Sequence, residues 1–255
     1  MTALEVAAVL LAGVAAGTIN TVVGSGTLIT FPTLLALGVP PVTANVTNTI
    51  GLVPGSASGA WGYRRELRGQ RARVVRLASA SLLGGVAGAV LLLALPPEAF
   101  NTIVPVLILA GCVLVVLQPR IARWVACQAE SRGGVHEHGA LWVWVLVMLT
   151  GVYGGYFGAA QGVLLMAVLG VGIQDTLQRL NGVKNILAGL VNAVAAVVFV
   201  FVAEVSWALA GLIALGSVVG GQIGASVGRR LPPLALRVVI VTVGLVAVVA
   251  FVSRG

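Results

Sequence analysis

The residues best suited to chemistry are intramembrane amides, hydroxyls and one lysine, set beside two glycine-rich interruptions. Asn20 to Thr27 holds Gly24-Ser25-Gly26, and a matching break runs from Gly158 to Gly162 around Gln161. Glycine lets the backbone turn sharply, and a helix restarting there aims unpaired N–H groups at the gap. Those groups and the helix dipole favour an anion, and Ser25, Thr27 and Gln161 add hydrogen bonds without negative charge. Close helix packing is the structural alternative for the same glycines. A second constellation is Asn45, Thr47, Asn48 and Thr49, mirrored by Asn181, Lys184, Asn185 and Asn192. Spacings of three and four place Asn45, Asn48 and Thr49 on one helical face, and likewise Asn181, Lys184 and Asn185. Amides at membrane depth bond one another across helices or face a wet cavity.

Lys184 is the only lysine, in a chain that otherwise uses arginine. It is read as the compensating charge for an anion, with Arg179 as a secondary contact. Snorkelling to the interface or an ion pair with Asp175 are the alternatives. Tyr153 and Tyr156 flank the second break and either line a substrate path or pack in the core.

The elements that position these groups follow from composition. Of 255 residues, 59% are hydrophobic and 9% charged, against roughly 25% charged in an ordinary soluble domain. No charge occurs between Glu5 and Arg64, Arg76 and Glu98, or Lys184 and Glu204, and about 20 apolar residues cross a bilayer. This excludes a soluble domain, a disordered chain and a disulfide scaffold. The fold expected is an all-α polytopic membrane protein of about 8–10 hydrophobic helical segments. The Met-Thr-Ala-Leu-Glu start lacks a basic leader, so the first segment is expected to be retained. With so little loop, no extramembrane catalytic domain is expected.

Apolar stretches fall at 4–22, 27–38, 42–62, 74–95 and 100–117, then at 141–157, 160–172, 183–203, 205–228 and 234–252. The second and seventh, 27–38 and 160–172, are too short for a full crossing and read as broken or re-entrant helices. The polar stretch 118–139 reads as a linker loop between a first membrane repeat, 1–117, and a second, 140–255. In half one the third-to-fourth loop is basic, with Arg64, Arg65, Arg68, Arg71, Arg73 and Arg76, and the next loop is Pro96-Pro97-Glu98. Half two swaps this: Glu204 sits in the first of these loops, and Arg229, Arg230 and Arg237 in the second. Under the positive-inside rule the halves are inverted repeats, with loops 64–76, 118–139 and 229–237 cytoplasmic and only Arg254 dissenting. Inverted repeats with matching interrupted helices are the signature of a secondary transporter with a midplane site.

The net charge of +8 therefore reports topology, and no nucleic acid partner is expected. Cys112 and Cys127 form no disulfide framework, and His136 and His138 lack further ligands, so no metal and no cofactor are expected. His-Glu-x-x-His, Gly-x-Ser-x-Gly and P-loop patterns are absent, so the chain reads as no enzyme. Small-xxx-small series such as Gly13/Gly17, Gly84/Gly88 and Gly216/Gly220/Gly224 read as packing seams, or as the face of a homodimer.

The run Leu11 to Gly26, followed by Phe31-Pro32 and by Thr43-Ala-Asn45-Val-Thr-Asn48-Thr, resembles the sulfite exporter TauE/SafE family. So does Gly55-Ser-Ala-Ser-Gly59-Ala-Trp-Gly-Tyr63-Arg-Arg65, and so does Leu180-Asn181-Gly-Val-Lys184-Asn185 before an apolar helix. The resemblance spans nearly the whole chain and implies a bacterial inner-membrane permease for sulfite, organosulfonates or related anions. The expected function is secondary transport of such an anion, as a permease or exporter, by alternating access, with H⁺ or Na⁺ as the candidate coupling ion. A passive channel, or a carrier of another small organic anion, is the alternative.

Overall fold

The computed structural model describes residues 1–131, 140–226 and 233–252, and every regular element among them is an α-helix. In chain order these are α1 (Ala3–Val22), α2 (Thr27–Ala36), α3 (Pro41–Gly62), α4 (Arg71–Ala94) and α5 (Pro97–Ser131). Then follow α6 (Leu141–Tyr156), α7 (Gln161–Gly172), α8 (Leu177–Val202), α9 (Trp207–Ser226) and α10 (Pro233–Val252). Local chemistry sets the starts. Thr2 and Glu5 form a capping box on α1, Thr176 accepts from the Arg179 N–H at the head of α8, and prolines open α3, α5 and α10.

Length separates the roles. Helices α1, α4, α5, α8 and α9 are long and apolar enough to cross a membrane. At about 1.5 Å per residue, α2 with 10 residues and α7 with 12 reach only about half of the hydrocarbon. They are half-helices, as the spacing of the breaks predicts.

Two boundaries differ from those read in the sequence. Helix α5 continues through Pro119 to Ser131, so 118–131 is helix rather than loop, and Arg120 and Arg123 project from a rod that outruns the bilayer. Helix α8 starts at Leu177, not 183, because its first turns carry Gln178, Arg179 and Asn181, whose polarity hides it from an apolar scan. Arg132, His136, Glu137, His138, Arg229, Arg230 and Arg254 lie outside the described residues.

The helix contacts obey a two-fold exchange of α1–α5 with α6–α10. Packing of α1 on α9 is matched by α6 on α4, α3 on α9 by α8 on α4, and α5 on α7 by α10 on α2. The pairs α3·α8 and α5·α10 map onto themselves and lie on the axis of that exchange. Each long seam thus joins a helix of one half to a helix of the other.

Glycines make these seams close. A Cβ on Gly88 would stand 2.1 Å from the Val152 carbonyl of α6, and one on Gly220 2.0 Å from the Val14 carbonyl of α1. Thr18 Oγ1 donates across the α1·α9 seam to Gly220 O at 3.1 Å, and Ser217 Oγ donates to Gly51 O of α3 at 3.0 Å. The glycine series that offered a dimer face in the sequence therefore pack helices of the same chain.

Gly88→Val should force α4 and α6 apart and cost about 1–3 kcal/mol or more. Gly211→Val, at a position with nothing within 4 Å, should keep the wild-type unfolding midpoint in detergent. Equal midpoints for the two variants would refute the seam.

Candidate functional site

The two breaks are built alike. Helix α1 ends with the Val23 and Gly24 N–H groups both bonded to Ile19 O, at 2.7 and 3.0 Å, and Gly24 in the left-handed region at φ +88°. Helix α6 ends with the Phe157 and Gly158 N–H groups both bonded to Tyr153 O, at 3.0 and 3.1 Å, and Gly158 at φ +75°. A left-handed glycine is the ordinary way to stop a helix. Here it lets the chain double back into a half-helix at membrane depth.

The turns meet. Gly162 N–H donates to Gly24 O at 3.0 Å, and a Cβ on Gly24 would lie 2.3 Å from Gly162 Cα. No space separates the breaks at this contact, so no ion sits between these two glycines in this conformation.

The broken helices leave carbonyls without helical partners, and residues of the opposite half supply the donors. Lys184 Nζ, wholly buried on α8, donates to Asn20 O at 3.1 Å and Thr21 O at 3.0 Å in the last turn of α1. Asn185 Nδ2 and Asn181 Nδ2 donate to the same Thr21 O at 3.2 and 3.3 Å, and Asn181 Nδ2 also reaches Tyr63 Oη at 2.8 Å. The second break is served from α3, where Asn45 Nδ2 donates to Tyr156 O at 2.9 Å. Each break is thus capped by the other half. A cation against a helix C-terminus is electrostatically favourable, more so without water nearby.

Asn48 works within its own half. It accepts from Thr30 Oγ1 and donates to Thr27 Oγ1 at 3.3 Å, fixing the head of α2. Asn20 Nδ2 donates to Ser56 Oγ at 3.4 Å, Tyr153 Oη donates to Ala159 O inside the second break, and Thr49 is buried beside Asn48. Ser25 Oγ, Gln161 Nε2, Tyr156 Oη and the Oδ1 atoms of Asn45 and Asn181 are buried and have no hydrogen-bond partner among the described residues. Gly26 lies between Ser25 and the first turn of α2. The breaks thus gather Asn20, Gly24, Ser25, Gly26, Thr27, Asn45, Asn48, Thr49, Gln161, Asn181, Lys184 and Asn185, with Tyr153 and Tyr156.

Asp175, Arg179 and Asn192 stand apart. Asp175 Oδ2 pairs with Arg73 at 2.6 Å and its Oδ1 with Arg179 at 2.8 Å, so it is not the partner of Lys184. Lys184 does not snorkel either, having no exposure and forming no ion pair among the described residues. Asn192 is half-buried and bonds to neither break. Burial alone would raise the Asp175 carboxyl, but hydrogen bonds from Arg73 and Arg179 outweigh it and hold it below the usual carboxylate range. Sequence reasoning missed Arg73 and Tyr63 as working groups. Arg73 was hidden among topology arginines, and Tyr63 stood directly before Arg64 and Arg65 at the edge of the same basic loop.

A chamber of about 210 Å³ opens beside the first break, with Asn181, Tyr63 and Val22 on one wall and Gln118, Met166 and Gln178 on the others. The far side is filled by rings. Phe31 packs edge-on to Phe157 at 5.1 Å and to Phe100 at 6.4 Å, and Phe100 lies 5.8 Å from Tyr156. Along α5, Phe100 and Gln118 are 18 residues apart, or about 27 Å, so chamber and ring cluster lie at opposite ends of the bundle. The chamber end is the one carrying Arg64, Arg73 and Arg179.

Lys184→Met removes both bonds onto α1 and should lower stability by about 1–3 kcal/mol, measured as the unfolding midpoint in detergent; an unchanged midpoint would show that the cap carries no weight. Because Asp175 titrates below its unfolded value, its contribution is complete above about pH 4 and is lost as pH falls through the lower folded value. Stability should therefore fall below about pH 4 in the wild type and less steeply in Asp175→Asn; parallel profiles would contradict the pairing.

The chain is 30% identical over 217 residues to "Probable membrane transporter protein ORF9" of Sinorhizobium sp, covering 82% of this chain and 77% of that one. It is 24% identical over 245 residues to "Probable membrane transporter protein YfcA" of Escherichia coli strain K12, covering 94% and 87%. A "Probable membrane transporter protein" of Haemophilus influenzae is 23% identical over 213 residues, covering 84% and 81%. No solved structure matches the chain. The family described as sulfite exporter TauE/SafE matches residues 9–251, so this helical, multi-pass chain with its crossed half-helices belongs to that family of membrane transporters and is not an enzyme.

Proposed function

We propose that the chain carries a small sulfur-containing oxyanion, sulfite or an organosulfonate, across the bacterial inner membrane by alternating access. The observation that carries this reading is the inequality of two ends that the helix pairing makes equivalent. One end holds the chamber, and the other is closed by Phe31, Phe100, Tyr156 and Phe157. If the halves are inverted, as the arginine swap implies, exchanging the conformations of the halves opens the closed end and closes the open one. The chamber end carries the arginines, and the positive-inside rule supports a cytoplasmic position for it.

Charge supports an anion. Lys184 is buried with no acidic partner, while Ser25 Oγ and Gln161 Nε2 are buried without a bond. No described Asp or Glu lies at the breaks; Asp175 is occupied by two arginines. An anion arriving here meets these donors and the lysine, which an organic cation would have to approach without a compensating carboxylate. The coupling ion in this reading is H⁺ or Na⁺, supplied from outside the protein.

Proteoliposomes offered labelled sulfite, ethanesulfonate, sulfate and an organic cation should accumulate the sulfur anions with saturation, and faster under an imposed proton or sodium gradient. Transport of the cation alone would sink the proposal, and non-saturating current would identify a channel. A cysteine in place of Gln178 should label from the arginine side. Phe100→Ala should at least double labelling of a cysteine at Ile29 from the other side; unchanged labelling would remove the rings as the closed gate.

A further inference from the structure

Two kinds of helix contact coexist in this bundle. Six helices, α1, α3, α4, α6, α8 and α9, interlock through close backbone contacts and hydrogen bonds. Thr18 and Ser217 join α9 to α1 and α3, and Ser58 Oγ of α3 donates to Val218 O of α9 at 2.7 Å. Trp144 Nε1 of α6 donates to Ser79 Oγ of α4 at 3.0 Å, and Lys184 ties α8 to α1. The half-helices are fastened to this body. Asn48 of α3 fixes α2, and the Gly162–Gly24 hydrogen bond and the Asn45 cap hold the second break.

Helices α5 and α10 are held differently. Among the described residues α10 packs chiefly on α5 and α2, and α5 on α10, α7 and a short stretch of α3. Apolar side chains make this contact: Val104, Ile108 and Val115 of α5 and Ile240 of α10 share one buried cluster with Leu28, Phe31 and Val163. A Cβ on Gly111 of α5 would lie 3.4 Å from Ala159 Cβ and 3.4 Å from a Leu28 methyl, which is ordinary side-chain contact. In the seams of the body the same atom would stand 2.1 Å from a carbonyl at Gly88 and 2.0 Å at Gly220. Within the pair the approach is close again, since a Cβ on Gly244 of α10 would meet Cys112 Sγ at 2.5 Å. Backbones interlocked through glycine fix a register, whereas apolar side chains attract without direction and let packed helices slide.

Both ends of the proposed path lie along α5. At one end Phe100 completes the ring cluster, 6.1 Å from Phe157 and 5.8 Å from Tyr156. At the other, Gln118, Ile121 and Ala122 form one wall of the chamber, with Met166 of α7 and Leu177 of α8 on its other walls. Gly111 lies between them, about 16 Å along the helix from Phe100 and about 10 Å from Gln118.

We infer that α5 and α10 form a two-helix lever that rocks as a unit on the six-helix body near Gly111, opening one end of the path as it closes the other. The inference rests on the alternating-access reading and names its moving part. Swinging Gln118 toward Met166 and Leu177 fills the chamber and draws Phe100 away from Phe157. Because the α5·α10 pair maps onto itself in the two-fold exchange, the opposite tilt is the exchanged arrangement.

Paired spin labels on the full chain in proteoliposomes, with Cys112 and Cys127 replaced by serine, test this by distance measurement. Labels at Trp124 and Leu177 span the chamber end, and labels at Ala36 and Ile103 span the ring end. Each pair should show two distances, the shorter 124–177 distance rising together with the longer 36–103 distance. Phe100→Ala should at least double the fraction of both. Pairs within the body (Val75 and Ser226) and within the lever (Trp124 and Val238) should keep one distance throughout. Gly244→Cys, oxidised onto the native Cys112, should take up labelled sulfite within twofold of its reduced form. Single, unchanged distances at both ends, beside saturable sulfite uptake, would overturn the lever and leave the carrier standing. A change in the 75–226 distance would overturn the rigid body, and a tenfold loss of uptake on oxidation would overturn movement as a unit. Absence of saturable anion uptake by the serine variant and the wild type would overturn both readings.

Discussion

A helix that stops inside a bilayer must find donors for its last carbonyls, because no water is there to supply them. Most of this structure answers that demand at two places. Lys184, Asn181 and Asn185 converge on Asn20 O and Thr21 O, and Asn45 reaches Tyr156 O. The donors for each break come from the other half, so neither break is complete without the opposite repeat. The hydrogen bond from Gly162 N–H to Gly24 O then ties the turns to each other. The pairing of helices across the two halves follows from that one requirement.

The two caps are alike in plan and unlike in strength. Three side chains and a positive charge hold the end of α1, while one amide holds the end of α6. The chamber lies on the better-capped side and the ring cluster on the other. A pair of repeats with identical caps would have no reason to prefer one end open. The lysine is thus both a structural tie and a source of asymmetry, and among the described residues it forms no ion pair.

Much of this was legible in the residues, and the misses have physical causes. Hydropathy located α1, α2, α3, α6 and α7 to within a few residues, because glycine and proline mark their ends. The order of segments in the sequence parallels the helix pairing, in which α1–α5 exchange with α6–α10. Hydropathy failed where a helix leaves the bilayer or buries polar groups. Helix α5 continues past Gln118 as a charged rod, and α8 begins among Gln178, Arg179, Asn181 and Lys184. The polar residues gathered at the breaks stand out by type and spacing, whereas their hydrogen-bond partners do not. Lys184 bonds backbone atoms more than 160 positions away, which no local pattern encodes. The same holds for Asp175, whose second arginine lies 102 positions earlier in the chain.

The cross-half seams also constrain how the chain is made. Helix α1 has its closest neighbour in α9, which begins about 185 residues after α1 ends. At roughly 5–20 residues per second, α1 waits about 10–40 s in the membrane before that neighbour exists. Throughout that interval its Thr18 hydroxyl and the carbonyls of Asn20 and Thr21 lack their final partners, and the glycine face of Gly13 and Gly17 meets lipid. Helix α4 waits less, since α6 follows it after the central segment. The first helix of the chain thus takes its closest packing partner from the ninth, late in synthesis.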